Sequence, residues 1–401
     1  MNKYKSIILL LFILLICVIS LTSCSFFEKK ETQRSNNDVE TKTSNGGEIT
    51  PEAKDTTVED LLKQMTLDEK IYQMLFVTPE SLTGVGQVIT AGDTTKNALM
   101  QQPVGGLIYF AENLQDMNQI TCLIQNTQSY SKIPLFIGVD EEGGRVSRLG
   151  DNSLTGVSKF PSMKSIGETQ ESSQAYLVGE TIGKEISKLG FNVDFAPVAD
   201  VLINYDNTEI GDRSFGTNPN DVSEMVEKVV TGLQKNNVSS VLKHFPGHGS
   251  TLVNSHHGYS ESTRTLEEFR ENEFLPFKAG IKAGSDFVMV SHATYVNATN
   301  EKCPASLSKE IITGFLLEEL EFKGIVITDS FSMGAITNNY TTESAVVKAV
   351  NAGVDMILMP QSINRAFTGI KDAVTNGEIT VDRINESVMK ILSIKHKNGL
   401  F

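Results

Sequence analysis

Eight short apolar runs punctuate the chain between residues 74 and 359, and nothing else in the sequence constrains its fold as strongly. They read MLFV (74–77), GGLIYF (105–110), PLFIGV (134–139), VDFAPV (193–198), SSVLKH (239–244), DFVMVSH (286–292), GIVITD (324–329) and DMILM (355–359). Helical patterns lie between them, as in VEDLLKQMTLDEKIYQ (58–73), ESSQAYLVGETIGKEISKLG (171–190) and LEEFRENEFLPFKAGIKAG (266–284), and a last one, TVDRINESVMKILSIKHK (380–397), ends the series. Near-continuous apolar strands alternating with crossover helices predict a parallel sheet covered on both faces. Eight such units between residues 57 and 401 predict an α/β fold of the (β/α)8 TIM-like barrel type, a single catalytic domain. A doubly wound open sheet is the competing arrangement.

Polar residues cluster where these runs end: Asp140, Asp200, Lys243, His244, Ser291, His292 and Asp329. Barrel enzymes carry their chemistry at the C-terminal ends of the strands, so the clustering favours the barrel over the open sheet. Asp329 is read either as a helix N-cap, a task Ser330 is equally able to perform, or as a carboxylate facing the barrel mouth. The segment GVDEEGGRVSR (138–148) interleaves Asp140, Glu141 and Glu142 with Arg145 and Arg148 across a double glycine. It reads either as a structural salt-bridge net or as an Asp–Arg grip on sugar hydroxyls. Arg213 sits in a second turn-like segment, GDRSFG (211–216).

KHFPGHGSTLVNSHHGYS (243–260) holds four of the six histidines, His244, His248, His256 and His257. A metal cluster is disfavoured: the His244-to-His248 spacing crosses Pro246 and Gly247, where helical ligand spacing fails. No metal and no cofactor is expected. Cys122 and Cys303 do not amount to a disulfide framework; Cys122 falls in a helical pattern as a core residue, and whether the two pair is open.

The first 23 residues read as a lipoprotein signal peptide: Lys3 and Lys5, then the apolar run IILLLFILLICVIS (7–20), short for a membrane span. LTSC (21–24) resembles a bacterial lipobox, which implies lipidation of Cys24; an uncleaved signal anchor is the alternative. Residues 24–56 are polar and aperiodic and read as a disordered tether, so the folded domain is expected over 57–401, outside the cytoplasm and attached to the membrane by lipid only. A net charge of −14 speaks against a nucleic-acid partner.

Together, KHFPGHG, DEEGGRVSR, GDRSFG and ITDSFSM, in this order on these strand ends, resemble the family 3 glycoside hydrolases, and within them the bacterial β-N-acetylglucosaminidase branch. The resemblance runs from about residue 57 to the C-terminus. It implies a retaining glycosidase with Asp329 as nucleophile and His256, on a loop after the fifth strand, as acid/base. Asp140, Arg148, Arg213, Lys243 and His244 match sugar-binding positions, and the basic ones would favour the charged form of Asp329. Imidazole suits the proton shuttle because it both donates and accepts near neutral pH. His248 is given a structural place and His257 none.

One departure stands out. Where the family usually has Asp-Ser-His, this chain has Asn254-Ser255-His256. Asn254 still orients the imidazole through a hydrogen bond but brings no charge to it. The expected consequence is weaker acid catalysis, by about 1–3 kcal/mol in the barrier, unless another carboxylate such as Glu261 substitutes. The implied activity is exo-β-N-acetylglucosaminidase on a small glycan or muropeptide, with no obligate protein partner. An N-acetylglucosaminide phosphorylase and a catalytically weak sugar-binding lipoprotein are the alternatives. The absence of Trp argues for a short pocket over a long polysaccharide cleft. β-Glucosidase is disfavoured, since family members of that type usually draw a Glu acid/base from a second domain and no second-domain pattern follows residue 401.

Overall fold

The computed structural model describes residues 57–252 and 260–401. All eight apolar runs form parallel strands: β1 (Leu75–Val77), β2 (Gly106–Ile108), β3 (Phe136–Val139), β4 (Val193–Asp194), β5 (Ser239–Phe245), β6 (Phe287–Val290), β7 (Ile325–Thr328) and β8 (Ile357–Leu358). Each pairs with its neighbour in sequence, and Leu75 on β1 pairs with Ile357 on β8. A bridge between Ile327 and Met356 joins β7 to β8 and closes the barrel. The open doubly wound alternative is thereby excluded, because a closed ring leaves no sheet edge.

The barrel interior is filled with side chains. Phe76 and Phe195 meet edge to face at 5.3 Å, as do Phe136 and Phe287 at 5.1 Å. At the N-terminal end Lys395 is fully buried, with Nζ 2.7 Å from Gln73 Oε1 and 5.0 Å from the Phe136 ring centroid. Burial there pushes its ammonium well below the ordinary lysine range.

Two helical patterns divide where the sequence predicted one helix each. Residues 58–73 form Val58–Gln64 and Leu67–Gln73, because Thr66 and Glu69 make a capping box that starts a new helix. Residues 266–284 likewise form Leu266–Glu271 and Phe274–Lys282. Cys122 and Cys303 are not joined to each other by a disulfide, and Cys122 is half-buried on helix Met117–Tyr130, not a core residue. Among the described residues no helix is long and apolar enough to cross a membrane. The signal segment 1–23, Cys24 and the tether 24–56 lie outside the described residues.

Candidate active site

Beyond β3 the chain folds into a hairpin, Glu141–Gly143 against Val146–Ser147, with Gly143 and Gly144 in the left-handed region at φ 87° and 61°. The two adjacent glutamates then part. Glu141 turns into the hairpin, where its carboxylate accepts hydrogen bonds from the Ser147 hydroxyl and from the amides of Leu149 (2.7 Å) and Gly150 (3.2 Å). Glu142 turns into the barrel mouth. Glu141 builds the turn, while Asp140 and Glu142 enter a salt-bridge net with Arg148, Lys243 and Arg213, the first of the two sequence readings of DEEGGRVSR.

That cluster is almost dry. Lys243 Nζ, 3% exposed, lies 2.8 Å from Asp140 Oδ1 and 2.6 Å from Glu142 Oε1. Arg213 grips Glu142 with two parallel hydrogen bonds, 2.9 Å from Nε and 2.7 Å from Nη2. Burial alone would raise the Glu142 carboxyl, but Arg213 and Lys243 hold it far below the usual carboxylate range. Lys243 is shifted upward: desolvation opposes its charge, and Asp140 and Glu142 outweigh that. Arg148 completes the group, Nη2 3.8 Å from Asp140 Oδ2 and its guanidinium 5.8 Å from the centroid of Phe110. Its Nε is buried with no hydrogen-bond partner among the described residues.

On the adjoining side Asp200 is fully buried and accepts three hydrogen bonds: His244 Nδ1 at 2.8 Å, the His244 amide at 3.3 Å and the His248 amide at 2.6 Å. Holding Nδ1–H this way directs His244 Nε2 toward Arg213 Nη2, 3.5 Å away. The Lys243–His244 and Phe245–Pro246 peptide bonds are cis.

Asp329 follows β7. Its amide donates to the Val290 carbonyl at 2.9 Å, and its Oδ1 accepts the Ser330 amide at 2.6 Å. The next helix, Gly334–Thr337, has Met333 at its N-cap and no side-chain cap, so neither Asp329 nor Ser330 serves as one. His292, at the end of the β6 run, braces this turn: Nε2 donates to the Ser330 carbonyl at 2.9 Å and Nδ1 accepts from Ser306 Oγ at 2.8 Å. Burial shifts its imidazole downward, toward the neutral form that this tautomer requires.

These residues surround a cavity of about 300 Å³. Asp140, Glu142, Arg148, Arg213, Lys243, His244 and Asp329 all line it, with Phe110, Phe195, Met289 and Leu358 supplying apolar wall. The structure thus gathers every predicted site residue that it describes into one chamber. His248 also lines it, pushed to about 4 by burial and by His244, and so neutral at ordinary pH. Asn254, His256 and His257 lie outside the described residues. Glu261, considered as a substitute for the loop aspartate, begins a strand paired with Thr294–Asn297 and is not among the cavity residues. Among the described residues no His/Cys/Asp/Glu group is arranged to hold a metal ion.

The stem of the histidine loop is bolted to the loop after β4. The Ile203 and Asn204 amides donate to the Gly249 carbonyl at 3.2 and 2.9 Å, Asn204 Nδ2 to the Thr251 carbonyl at 2.8 Å and Asn207 Nδ2 to the His248 carbonyl at 2.8 Å. A Cβ at Gly249 would collide with the Val201 carbonyl, so the close approach requires glycine. Beneath the stem, Glu273 is buried against Gly247, Arg264 Nε lies 2.8 Å from its Oε1, and desolvation pushes its carboxyl up to about 7. A carboxyl raised from its ordinary 4.5 stabilises the fold below pH 4.5 and loses that contribution as pH rises to about 7. Glu273→Gln should therefore flatten the pH dependence. Denaturant titrations at pH 5 and pH 8 should show wild type losing about 3 kcal/mol more than the variant between the two.

A closed parallel barrel with a polar chamber at its C-terminal mouth, walled by fixed cations and carboxylates, is the arrangement in which (β/α)8 enzymes carry their chemistry. The chain belongs to glycosyl hydrolase family 3: the model of that family's N-terminal domain matches residues 66–394. Beta-hexosaminidase A of Pseudoalteromonas piscicida is 36% identical over 322 residues, covering 73% of this chain and 53% of that protein. Beta-hexosaminidase of Idiomarina loihiensis is 34% identical over 278 residues, covering 68% of this chain and 81% of that one. Among solved structures, a family 3 beta-N-acetylglucosaminidase from Paenibacillus sp. superposes with a TM-score of 0.78 at 34% identity, covering 84% of this chain and 63% of that one. The chain thus spans about half of the first relative and under two thirds of the solved structure.

Glu142, Asp200, His292 and Glu209 all position or line this chamber, and none is singled out as an individual site residue by the sequence alone. Asp200 and His292 were detectable as polar residues closing apolar runs. Glu142 and Glu209 carry no such signal, because their importance comes from partners far away in sequence.

Proposed function

We propose that the protein is a retaining exo-β-N-acetylglucosaminidase that releases terminal N-acetylglucosamine from peptidoglycan-derived or related glycans. Asp329 attacks the anomeric carbon and forms a glycosyl ester, His256 protonates the departing oxygen and later receives the proton of water, and Asn254 orients His256. Asp140, Arg148, Arg213, Lys243 and His244 hold the sugar hydroxyls as preorganised partners. The observation that carries this reading is the presence of Asp329 in the wall of a one-sugar cavity beside Asp140, Glu142 and Lys243, which are fixed by their own ion pairs. The names of the relatives support the same substrate class. The segment 1–23 acts as a lipoprotein signal and Cys24 carries the lipid, with 24–56 as tether to a domain over 57–401; the lipobox-like LTSC supports that placement outside the cytoplasm.

The deciding experiment is turnover of a chromogenic N-acetyl-β-glucosaminide with and without inorganic phosphate, the product analysed by NMR. Free N-acetylglucosamine with retained β-configuration is expected in both. A sugar phosphate as the main product selects the phosphorylase, and tight binding without turnover selects a receptor. A second measurement addresses the loop. Asn254→Asp places a carboxylate beside His256, holds its imidazolium to higher pH and should shift the pH optimum of kcat upward or raise kcat. A variant slower at every pH contradicts the role given to Asn254.

A further inference from the structure

The chamber of about 300 Å³ has room for one sugar, so whatever that sugar is attached to must rest outside it, on the rim. The loop after β4 supplies Ile210 and Arg213 to the chamber wall and also carries Tyr205, 78% exposed. Among the described residues no other large apolar side chain is as exposed. Leu252, on the stem of the histidine loop, is 68% exposed. Scattered exposed apolar residues are ordinary, but two of them at one junction beside a binding chamber mark a contact surface.

The two residues leave the same junction. Asn204 Nδ2 donates to the Thr251 carbonyl at 2.8 Å, and Tyr205 and Leu252 are the next residues on either side of that bond. Tyr205 is also held in a turn. The Asn207 amide donates to the Asn204 carbonyl at 3.1 Å, and the Asp206 amide donates to Asn204 Oδ1 at 3.1 Å. The base of this turn rests on the chamber wall: Asn207 is buried, and its Nδ2 donates to the carbonyl of His248, a wall residue, at 2.8 Å. A tight, pinned turn therefore presents an aromatic ring beside the chamber on a backbone that loses little freedom when a ligand lands.

We propose that Tyr205, with Leu252 beside it, forms the aglycone subsite: the second pyranose of the substrate lays one face on the tyrosine ring while the terminal sugar occupies the chamber. The inference rests on the reading of the chamber as a glycosidase site with Asp329 as nucleophile, and it names what holds the leaving-group side. A pyranose carries C–H groups on its faces and hydroxyls around its edge, so an aromatic ring standing in water suits it better than a closed apolar pocket. The chain has no Trp, and this tyrosine takes the part an indole would otherwise play. Leu252 shortly precedes Asn254 and His256 in sequence, so the patch belongs to the segment that carries the proposed proton donor to the departing oxygen.

The test compares two substrates on the full chain, as wild type, Tyr205→Ala and Tyr205→Phe. N-acetyl-β-glucosaminyl fluoride offers the terminal sugar with no aglycone to stack, and the β-1,4-linked disaccharide of N-acetylglucosamine offers a second pyranose. Tyr205→Ala should lower kcat/KM for the disaccharide by about 10-fold and leave that for the fluoride within about twofold of wild type. Tyr205→Phe, which keeps the ring, should stay near wild type on both. The proposal is overturned if Tyr205→Ala keeps the disaccharide within about twofold of wild type, or if it slows both substrates equally, which would make Tyr205 a brace of its loop. It is equally overturned if Tyr205→Phe is as slow as Tyr205→Ala on the disaccharide, or if wild type cleaves the fluoride and not the disaccharide. Wild type that cleaves neither substrate, or turnover that survives Asp329→Ala, would sink the parent reading instead, so the two failures are distinguishable.

Discussion

Asp329→Ala should abolish turnover of every N-acetyl-β-glucosaminide, lowering kcat by roughly 10⁴-fold or more, about 5 kcal/mol or more in the barrier. The size of the effect follows from what the side chain is asked to do. A covalent nucleophile has no ready substitute in the chamber: of the other wall carboxylates, Asp140 and Glu142 are locked on Lys243 and Arg213, and Glu209 is paired with Arg213. Asp329 also sits on a rigid element. Its amide is tied to β6 through Val290, and the next carbonyl is held by His292, itself fixed by Ser306. Because Asp329 supports no helix cap, the substitution should leave the fold intact, and its thermal unfolding midpoint should stay near that of wild type. The check is kcat for both proteins together with labelling by a fluorosugar that traps the ester. The label should fall on the Asp329 peptide of wild type and be absent from the variant. Residual activity within tenfold of wild type would move the covalent step to another side chain.

The same rigidity explains what is legible in the sequence. Barrel strands are buried on both faces, so each appears as an uninterrupted apolar run, and its end appears as the first polar residue. That is why Lys243, His244 and Asp329 could be placed. Arg148 and Arg213 stand farther out, in turns, and were placed only through the family motifs. Glu141 and Glu142 show the limit of this reading. They are chemically identical neighbours, yet one closes a local hairpin and the other meets Arg213, 71 residues away. No periodicity encodes that choice, since it depends on how two loops from different strands meet. The helix break at Thr66 was encoded locally, by the TLDE capping box, but the apolar spacing runs through it. The loop histidines were prominent through composition alone, and composition fixes neither their orientation nor their partners.

The second large effect is expected at Glu142, whose particular partners are not legible in the sequence. Glu142→Gln keeps the shape and removes the charge between two buried cations. Arg213 and Lys243 then face each other with Asp140 as the remaining close counter-charge of Lys243, and breaking a buried ion cluster of this kind costs about 3–5 kcal/mol. Against a typical total of about 5–15 kcal/mol this is a large fraction. The pH dependence carries a distinguishing sign. A carboxyl depressed in the fold stabilises it above its ordinary 4.5 and loses that contribution as pH falls toward the depressed value. Wild type should therefore exceed the variant most at pH 7, and the gap should narrow on acidification below pH 4.5. Urea titrations at pH 7 and pH 3.5 measure it. Sulfate offers an independent readout: with the carboxylate gone, the chamber holds uncompensated positive charge, and an added anion that binds there should recover part of the lost stability in the variant while moving wild type little. Activity should fall with stability, chiefly through KM, because Lys243 and Arg213 lose the common anchor that aims them at the sugar. A variant as stable as wild type at pH 7, with unchanged KM, would show that the cluster is held by its backbone and not by this charge.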